Sequence, residues 1–229
     1  VTNARNEAET GAAFSSGVRV ALRMAPKIIL LGELRGPDVA VSALEAAVTG
    51  HQVWTTMHVT DPFLFVERLE IMDGIRLARK VFCDHKIVRG VVAQRLLPQL
   101  CRGCRQPLHK APQALSPRLV KALQTWGDLD RVHVKGDGCE KCNYTGTTTR
   151  FAVAEVVVMD AQVMRDFVNY GSEAARDNYR ARPDADPSML VAAIRHALSG
   201  IVDPNSVEEE VDLIEPKPAS HAGAKHAKH

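Results

Sequence analysis

The chain has 229 residues, 45% of them apolar and 24% charged, with a formal net charge of +2. That length and balance suit one large domain or two small ones around a buried core, and so small a net charge gives no support for a nucleic-acid or membrane-surface partner. The longest apolar runs, such as 151–159, are about half of what a membrane helix requires, and no basic segment followed by an apolar one opens the chain, so it reads as cytoplasmic.

The chain starts at Val1 with the polar stretch TNARNEAETG, as a fragment of a longer protein would. Phe14, Val18 and Leu22 repeat every four residues, which predicts an amphipathic helix over 13–24 that stops before Pro26. Residues 27–32 are too short and too uniformly apolar for a surface helix; they predict a strand buried on both faces, as in a parallel sheet. Gly36 and Pro37 suit the N-cap and first position of a helix over 37–48, ended by Gly50. QVWTTMH (52–58) then favours a strand. Strand, helix and strand within some thirty residues form a right-handed crossover, which delivers the strands' carboxyl ends, and with them Glu33 and His58, to one crevice. Asp61-Pro62 opens a further helix with Phe65, Leu69 and Met72 on one face.

A carboxylate and an imidazole in such a crevice could accept a proton or orient a water against a bound phosphoryl group. On these residues alone the bland reading is the commoner one: a charged residue just past a strand is usually solvated or structural, and His58 could simply hydrogen-bond Asp61.

Five cysteines include the pairs Cys101-x-x-Cys104 and Cys139-x-x-Cys142, separated by 34 residues. Each has the spacing of a zinc knuckle, and Gly103 and Gly138 beside them permit tight turns. Redox pairs or free thiols are the alternatives, and a closed four-thiolate shell would be structural. Cys83, in KVFCDHKIV, reads as buried and inert. Between the knuckles, APQALSPRLVKALQTWGDL predicts one short helix, with Trp126 available to pack over the metal site. RFAVAEVVVMD reads as strand, and 161–199 as helices interrupted by the proline-bearing loop RARPDADP, expected to pack on a neighbouring subunit. The tail EPKPASHAGAKHAKH is polar enough for disorder, with three histidines of adventitious metal-binding capacity.

GVRVALRMAPKIILLGELRG resembles the segment ending in the Walker B region of the secretion ATPase superfamily, the motors of type II secretion and type IV pilus assembly, in which a glutamate handles magnesium and water. That position is Glu33. TGHQVWTTMHVTD is similar to the family's histidine box, matched by His51 and His58. GVVAQRLLPQLCRGC, CEKCNYTG and GIVDPNSVEEEV follow in the family's order, so the likeness runs over 14–214. It implies an α/β fold: a RecA-like parallel-sheet portion over 1–95, an inserted tetracysteine subdomain over 96–150, a mainly helical region over 151–214 and a disordered tail over 215–229. It implies Glu33, Arg35, His51 and His58 as catalytic residues, Gly32 and Glu33 at the nucleotide, and Cys101, Cys104, Cys139 and Cys142 on zinc. The cofactors would be ATP, Mg²⁺ and Zn²⁺, the assembly a hexamer at an inner-membrane platform protein, with no nucleic acid. In the family the resemblance points to, many loading-type members carry the tetracysteine module and retraction motors generally do not.

The chain departs from that pattern at Gly36, where the family has Asp, and at TGTTTRF, which lacks the usual Gly-Arg. No Gly precedes a Lys, so the phosphate loop G-x-x-x-x-G-K-[ST] is not among these residues, and the chain alone is expected to be inactive. A hydrolytic motor and a non-enzymatic, zinc-stabilised assembly module both fit, and a phosphate loop upstream of Val1 would separate them.

Overall fold

A computed structural model describes residues 7–218. In chain order they form α1 (Glu7–Arg23), β1 (Ile28–Glu33), α2 (Pro37–Val48), β2 (Gln52–Thr56), α3 (Phe65–Met72) and α4 (Arg79–Phe82). Next come β3 (Gly90–Leu100), β4 (Gln106–Pro107), α5 (Pro117–Trp126), β5 (His133–Val134) and β6 (Thr147–Val158). The chain closes with α6 (Ala161–Tyr170), α7 (Ser172–Arg180), α8 (Met189–Leu198) and α9 (Pro204–Glu210). They divide into two units: Val1–Ala93 with Val156–Asp186, and Gln94–Glu155 with Pro187–His229.

In the first unit α1 begins earlier than the expected position 13 and ends at Arg23, with Val18 buried and Phe14 and Leu22 packed against the core. Gly36 enters α2 in extended backbone and Pro37 occupies its first turn, as the sequence predicts. Ala40, Ala43 and Ala46 form the buried side of α2. Strands β1 and β2 pair in parallel, Ile29 opposite Val53 and Leu30 opposite Trp54. Here one expectation fails, because β1 is buried on one face only. Ile29 and Leu31 are buried, whereas Leu30 is 79% and Trp54 54% exposed. Residues opposite each other in a parallel pair share a face, and among the described residues nothing covers the face of Leu30 and Trp54.

The expected helix at Asp61-Pro62 begins as a 3-10 turn, Pro62–Leu64, whose Phe63 amide donates to Asp61 Oδ1, and continues as α3. Phe63 and Phe65 pack against Phe167, with ring centroids 5.9 and 5.5 Å away, and Phe63 also meets Tyr179 at 5.8 Å. Helices α6 and α7 therefore belong to this core. Arg79 adds polar ties, donating to both Glu70 oxygens and to the Phe167 carbonyl.

The second unit packs Leu97, Leu108, Leu119, Leu123, Val134 and Ile194 together with Val207 and Ile214. The insertion between the knuckles is closed by the antiparallel pair β4–β5, Gln106 opposite Val134. Ser116 caps α5 through the Leu119 amide. Trp126 does not take the expected place over the cysteines: its Nε1 donates to the Glu215 carbonyl and the Lys217 ammonium lies 5.8 Å from its ring centre. Position 215 was the expected start of disorder, yet Lys217 also donates its amide to Thr125. The tail histidines lie outside the described residues. Asp203 caps α9 at Asn205 and accepts the Lys135 amide with its other oxygen.

Arg79 holds the Glu70 carboxyl below its ordinary value, chiefly through its side-chain hydrogen bonds. A carboxylate lowered on folding stabilises the fold above its unfolded value of about 4.3, and that contribution disappears as the pH falls through the lowered value. Glu70→Gln is expected to cost roughly 1–2 kcal/mol in urea unfolding at pH 7, with the difference from the parent closing as the pH is lowered through the depressed value. An unchanged difference across that range would show that the pair is not the cause.

Candidate functional site

Because β1 and β2 run in parallel, Glu33, the last residue of β1, stands opposite Thr56, the last residue of β2. The Thr56 hydroxyl donates to the Gly32 carbonyl at 2.7 Å, and the Leu34 amide donates to the Thr56 carbonyl at 3.0 Å. These two bonds fix the backbone on both sides of Glu33. Its Oε2 accepts from Arg35 Nε at 2.7 Å, and its Oε1 lies 3.5 Å from His58 Nε2. His58 sits two residues past the end of β2 rather than at it. Its side chain is 91% exposed and that of Arg35 83%, against 24% for Glu33.

The Arg35 hydrogen bond is the largest influence on Glu33 and holds its carboxyl below the ordinary range; burial, the next largest, opposes it, and the charges of Arg35, His58 and Arg68 add to the lowering. The result is a carboxylate kept ionised among cations and open to solvent. It can accept a proton, orient a water or ligate a divalent ion. The bonding of His58 to Asp61 that the sequence left open is not what the structure has; Asp61 bonds instead to Phe63 and to Arg180.

His51 is not brought to this cluster. It precedes the first residue of β2, at the amino end of the strands, where its Nδ1 lies 3.2 Å from the Thr49 hydroxyl. Gly32 is at the cluster, and a Cβ there would meet nothing within 4 Å. Sequence reasoning missed Thr56, which reads simply as a strand former, and Arg68, the lone cation in FVERLEIM.

In the second unit the Sγ atoms of Cys101, Cys104, Cys139 and Cys142 all lie within 4.8 Å of one another. Cys101 approaches Cys139 at 3.7 Å and Cys104 approaches Cys142 at 3.8 Å, so each close pair links the two knuckles. Burial pushes the Cys142 thiol up, but the amides of Cys139 and Gly146 that donate to its sulfur, with the neighbouring thiols, outweigh it and bring it down to about 6. Cys104, by contrast, is pushed up to about 12 by burial and by the surrounding thiols. Four converging sulfurs with amides aimed at one of them fit a tetrahedral thiophilic cation such as Zn²⁺. Gly138 has φ +101°, and a Cβ there would come within 2.5 Å of the Tyr144 backbone. The second knuckle then carries Asn143 and Tyr144 in left-handed backbone. Cys83 stands apart, its thiol pushed up to about 12 by burial, which makes it inert.

Residues 1–211 match the family described as "Type II/IV secretion system protein". The chain belongs to that family. Over 193 residues it is 32% identical to the type IV pilus assembly ATPase PilB of Thermus thermophilus, covering 84% of this chain and 21% of that protein. Over 190 residues it is 32% identical to the type II secretion system protein E of Aeromonas hydrophila, covering 82% of this chain and 35% of that protein. The secretion-family chain thus spans between a fifth and about a third of these curated relatives. Two solved structures share its fold: the Legionella pneumophila ATPase DotB, with a TM-score of 0.56 and 24% identity over 86% of this chain and 41% of that one, and the pilus retraction motor PilT with bound ADP, with a TM-score of 0.57 and 18% identity over 90% and 44%.

The cysteine geometry predicts about one tightly held divalent ion per chain by elemental analysis. Cys139→Ser is expected to lose it and to destabilise the second unit by several kcal/mol, read as faster amide exchange over 96–150 with β1 and β2 unaffected. Well under one ion per chain in the purified parent would overturn the assignment.

Proposed function

We propose that this chain is the Glu33-bearing part of a hexameric, cytoplasmic ATPase with a RecA-like core that hydrolyses ATP to drive type IV pilus assembly or type II-like secretion at an inner-membrane platform protein. The observation that carries this reading is the Glu33 carboxylate, held ionised at the carboxyl end of a parallel strand with Arg35 and His58 beside it. In open α/β sheets that is where ligands bind. The names of the relatives, a pilus assembly ATPase and secretion system proteins E, support the same direction.

Bound Mg-ATP would supply the terminal phosphate and a cation to neutralise its developing charge. Glu33 would orient the attacking water and take its proton, with Gly32 beside it leaving room for close approach. Arg35 keeps Glu33 ionised, and His58 would face the terminal phosphate and report its loss. His51, at the other end of β2, is assigned no catalytic part. The phosphate cradle has to come from residues outside this chain, since no Gly-Lys pair occurs in it. The uncovered face of Leu30 and Trp54 supports a wider sheet in the whole protein. The cation on the four cysteines would be zinc in a structural role, because a four-thiolate shell leaves no position for water. A second reading, a non-enzymatic, zinc-stabilised assembly module derived from such a motor, is supported by the four converging cysteines, whose arrangement needs no nucleotide.

Glu33→Gln in the longer protein keeps the shape and removes the charge. ATP turnover is expected to fall by about 10²–10⁴-fold while nucleotide binding persists. Turnover close to that of the parent would assign the base to another acid, and a parent protein without any phosphate loop or turnover would select the second reading.

A further inference from the structure

We propose that Gly146 is a positioning residue for the cation site, joining the second knuckle to the first through its own backbone; the proposal rests on the reading of the four cysteines as a cation site. Its amide donates to Cys142 Sγ at 3.3 Å, and its carbonyl accepts the Cys101 amide at 3.0 Å. One residue thus holds a sulfur of one knuckle and the backbone of the other. The Thr145 hydroxyl, 2.6 Å from the Cys142 carbonyl oxygen and 2.8 Å from that of Thr147, braces the turn that carries it.

Each knuckle is a closed turn in itself. The Cys104 and Arg105 amides donate to the Cys101 carbonyl at 3.2 and 2.9 Å, and the Cys142 and Tyr144 amides donate to the Cys139 carbonyl at 3.0 and 2.9 Å. What remains to be set is the separation of the two turns, since sulfurs from both must reach one ion at a metal–sulfur distance of about 2.3 Å. Gly146 bonds to both turns and so sets that separation. An N–H aimed at a sulfur also draws charge from it, so the same residue tunes how strongly Cys142 donates to the cation.

A side chain does not fit at this position. Gly146 is buried at φ +75°, and a Cβ on it would lie 2.7 Å from the Gly136 carbonyl oxygen and 2.8 Å from Lys135 Cγ. Gly136 lies just past β5 and is itself pressed onto the first knuckle, where a Cβ on it would run into the Cys104 carbonyl. The backbone is therefore layered, Gly146 on Gly136 on Cys104. Cys101 takes its place from Gly146 by a hydrogen bond and Cys104 by this stack, so a shift of Gly146 reaches Cys101, Cys104 and Cys142 together.

The test uses Gly146→Ala, which sets a methyl against Gly136, and Thr145→Val, which removes the brace without adding bulk. In the 229-residue chain, titration with Zn²⁺ against a chromophoric chelator should give roughly 10–100-fold weaker binding in Gly146→Ala and a smaller loss in Thr145→Val, with Trp126 fluorescence at the parent's. Gly171→Ala imposes the same backbone strain at φ +87°, where a Cβ meets nothing within 4 Å, and should leave the affinity unchanged. With Co²⁺ as the probe, the sulfur-to-cobalt absorption band should move to longer wavelength in Gly146→Ala, because a thiolate relieved of an N–H donor gives up charge more readily. Parental affinity and band position in Gly146→Ala would overturn the proposal; should that variant not fold, parental affinity in Thr145→Val would do so. If the parent binds neither ion, the cation reading falls, and amide exchange at Cys101, protected in the parent and faster in Gly146→Ala, alone decides whether Gly146 joins the knuckles.

Discussion

Parallel pairing of two strands through one helix leaves no choice about where their ends go: both carboxyl ends emerge on the same edge. In the first unit that constraint sets Glu33 opposite Thr56 and lets His58, two residues farther on, come back to the carboxylate. It also puts His51 at the opposite edge, since it precedes β2 while Thr56 ends it. The local chemistry inherits this geometry. Arg35 is the second residue after Glu33 and reaches its carboxylate directly, while Arg68 acts on the same charge from α3, a helix placed by the burial of Phe65, Val66 and Leu69.

Much of this was legible in the sequence, and the reasons differ by element. Helix α2 appears where predicted because Pro37 fixes φ in its first turn and Gly50 can take the positive φ of 93° that follows its end. The four cysteines meet because knuckle spacing is a local property. Burial of β1 on both faces was misread, because an apolar run records what a strand is built to touch and not what lies against it. Helix α9, inside the region 151–214 expected to be mainly helical, starts on the same Asp-Pro signal as the turn at Asp61. Trp126 was assigned to the nearest cluster in sequence, whereas its partners Glu215 and Lys217 lie some ninety positions away. Arg180 and Asp61, 119 positions apart, had no local signature at all.

The second unit joins distant stretches by polar bonds to the backbone as much as by its core. Asp203 serves the start of α9 and the Lys135 amide at once. Arg118 pairs with Glu208 and donates to the Ile214 carbonyl, holding the segment after α9 along α5. Buried Glu155 accepts the amide at the start of α8. A carboxylate in a closed environment needs such donors, and each of these places one element by the end of another.

The short pairing of β4 with β5 bears on how the thiols find one another. Bringing Cys104 and Cys139 together as the ends of an open loop has an entropic cost that rises with the logarithm of its length. Once Gln106 and Pro107 are paired with Val134 and His133, only a few residues on either side remain to be ordered around the sulfurs. The thirty-odd residues of the insertion then fall outside the smaller, hydrogen-bonded ring that closes on the four sulfurs. The length of the segment 108–132 is accordingly uncoupled from the meeting of the four sulfurs, so long as the two-residue ladder at its base is kept.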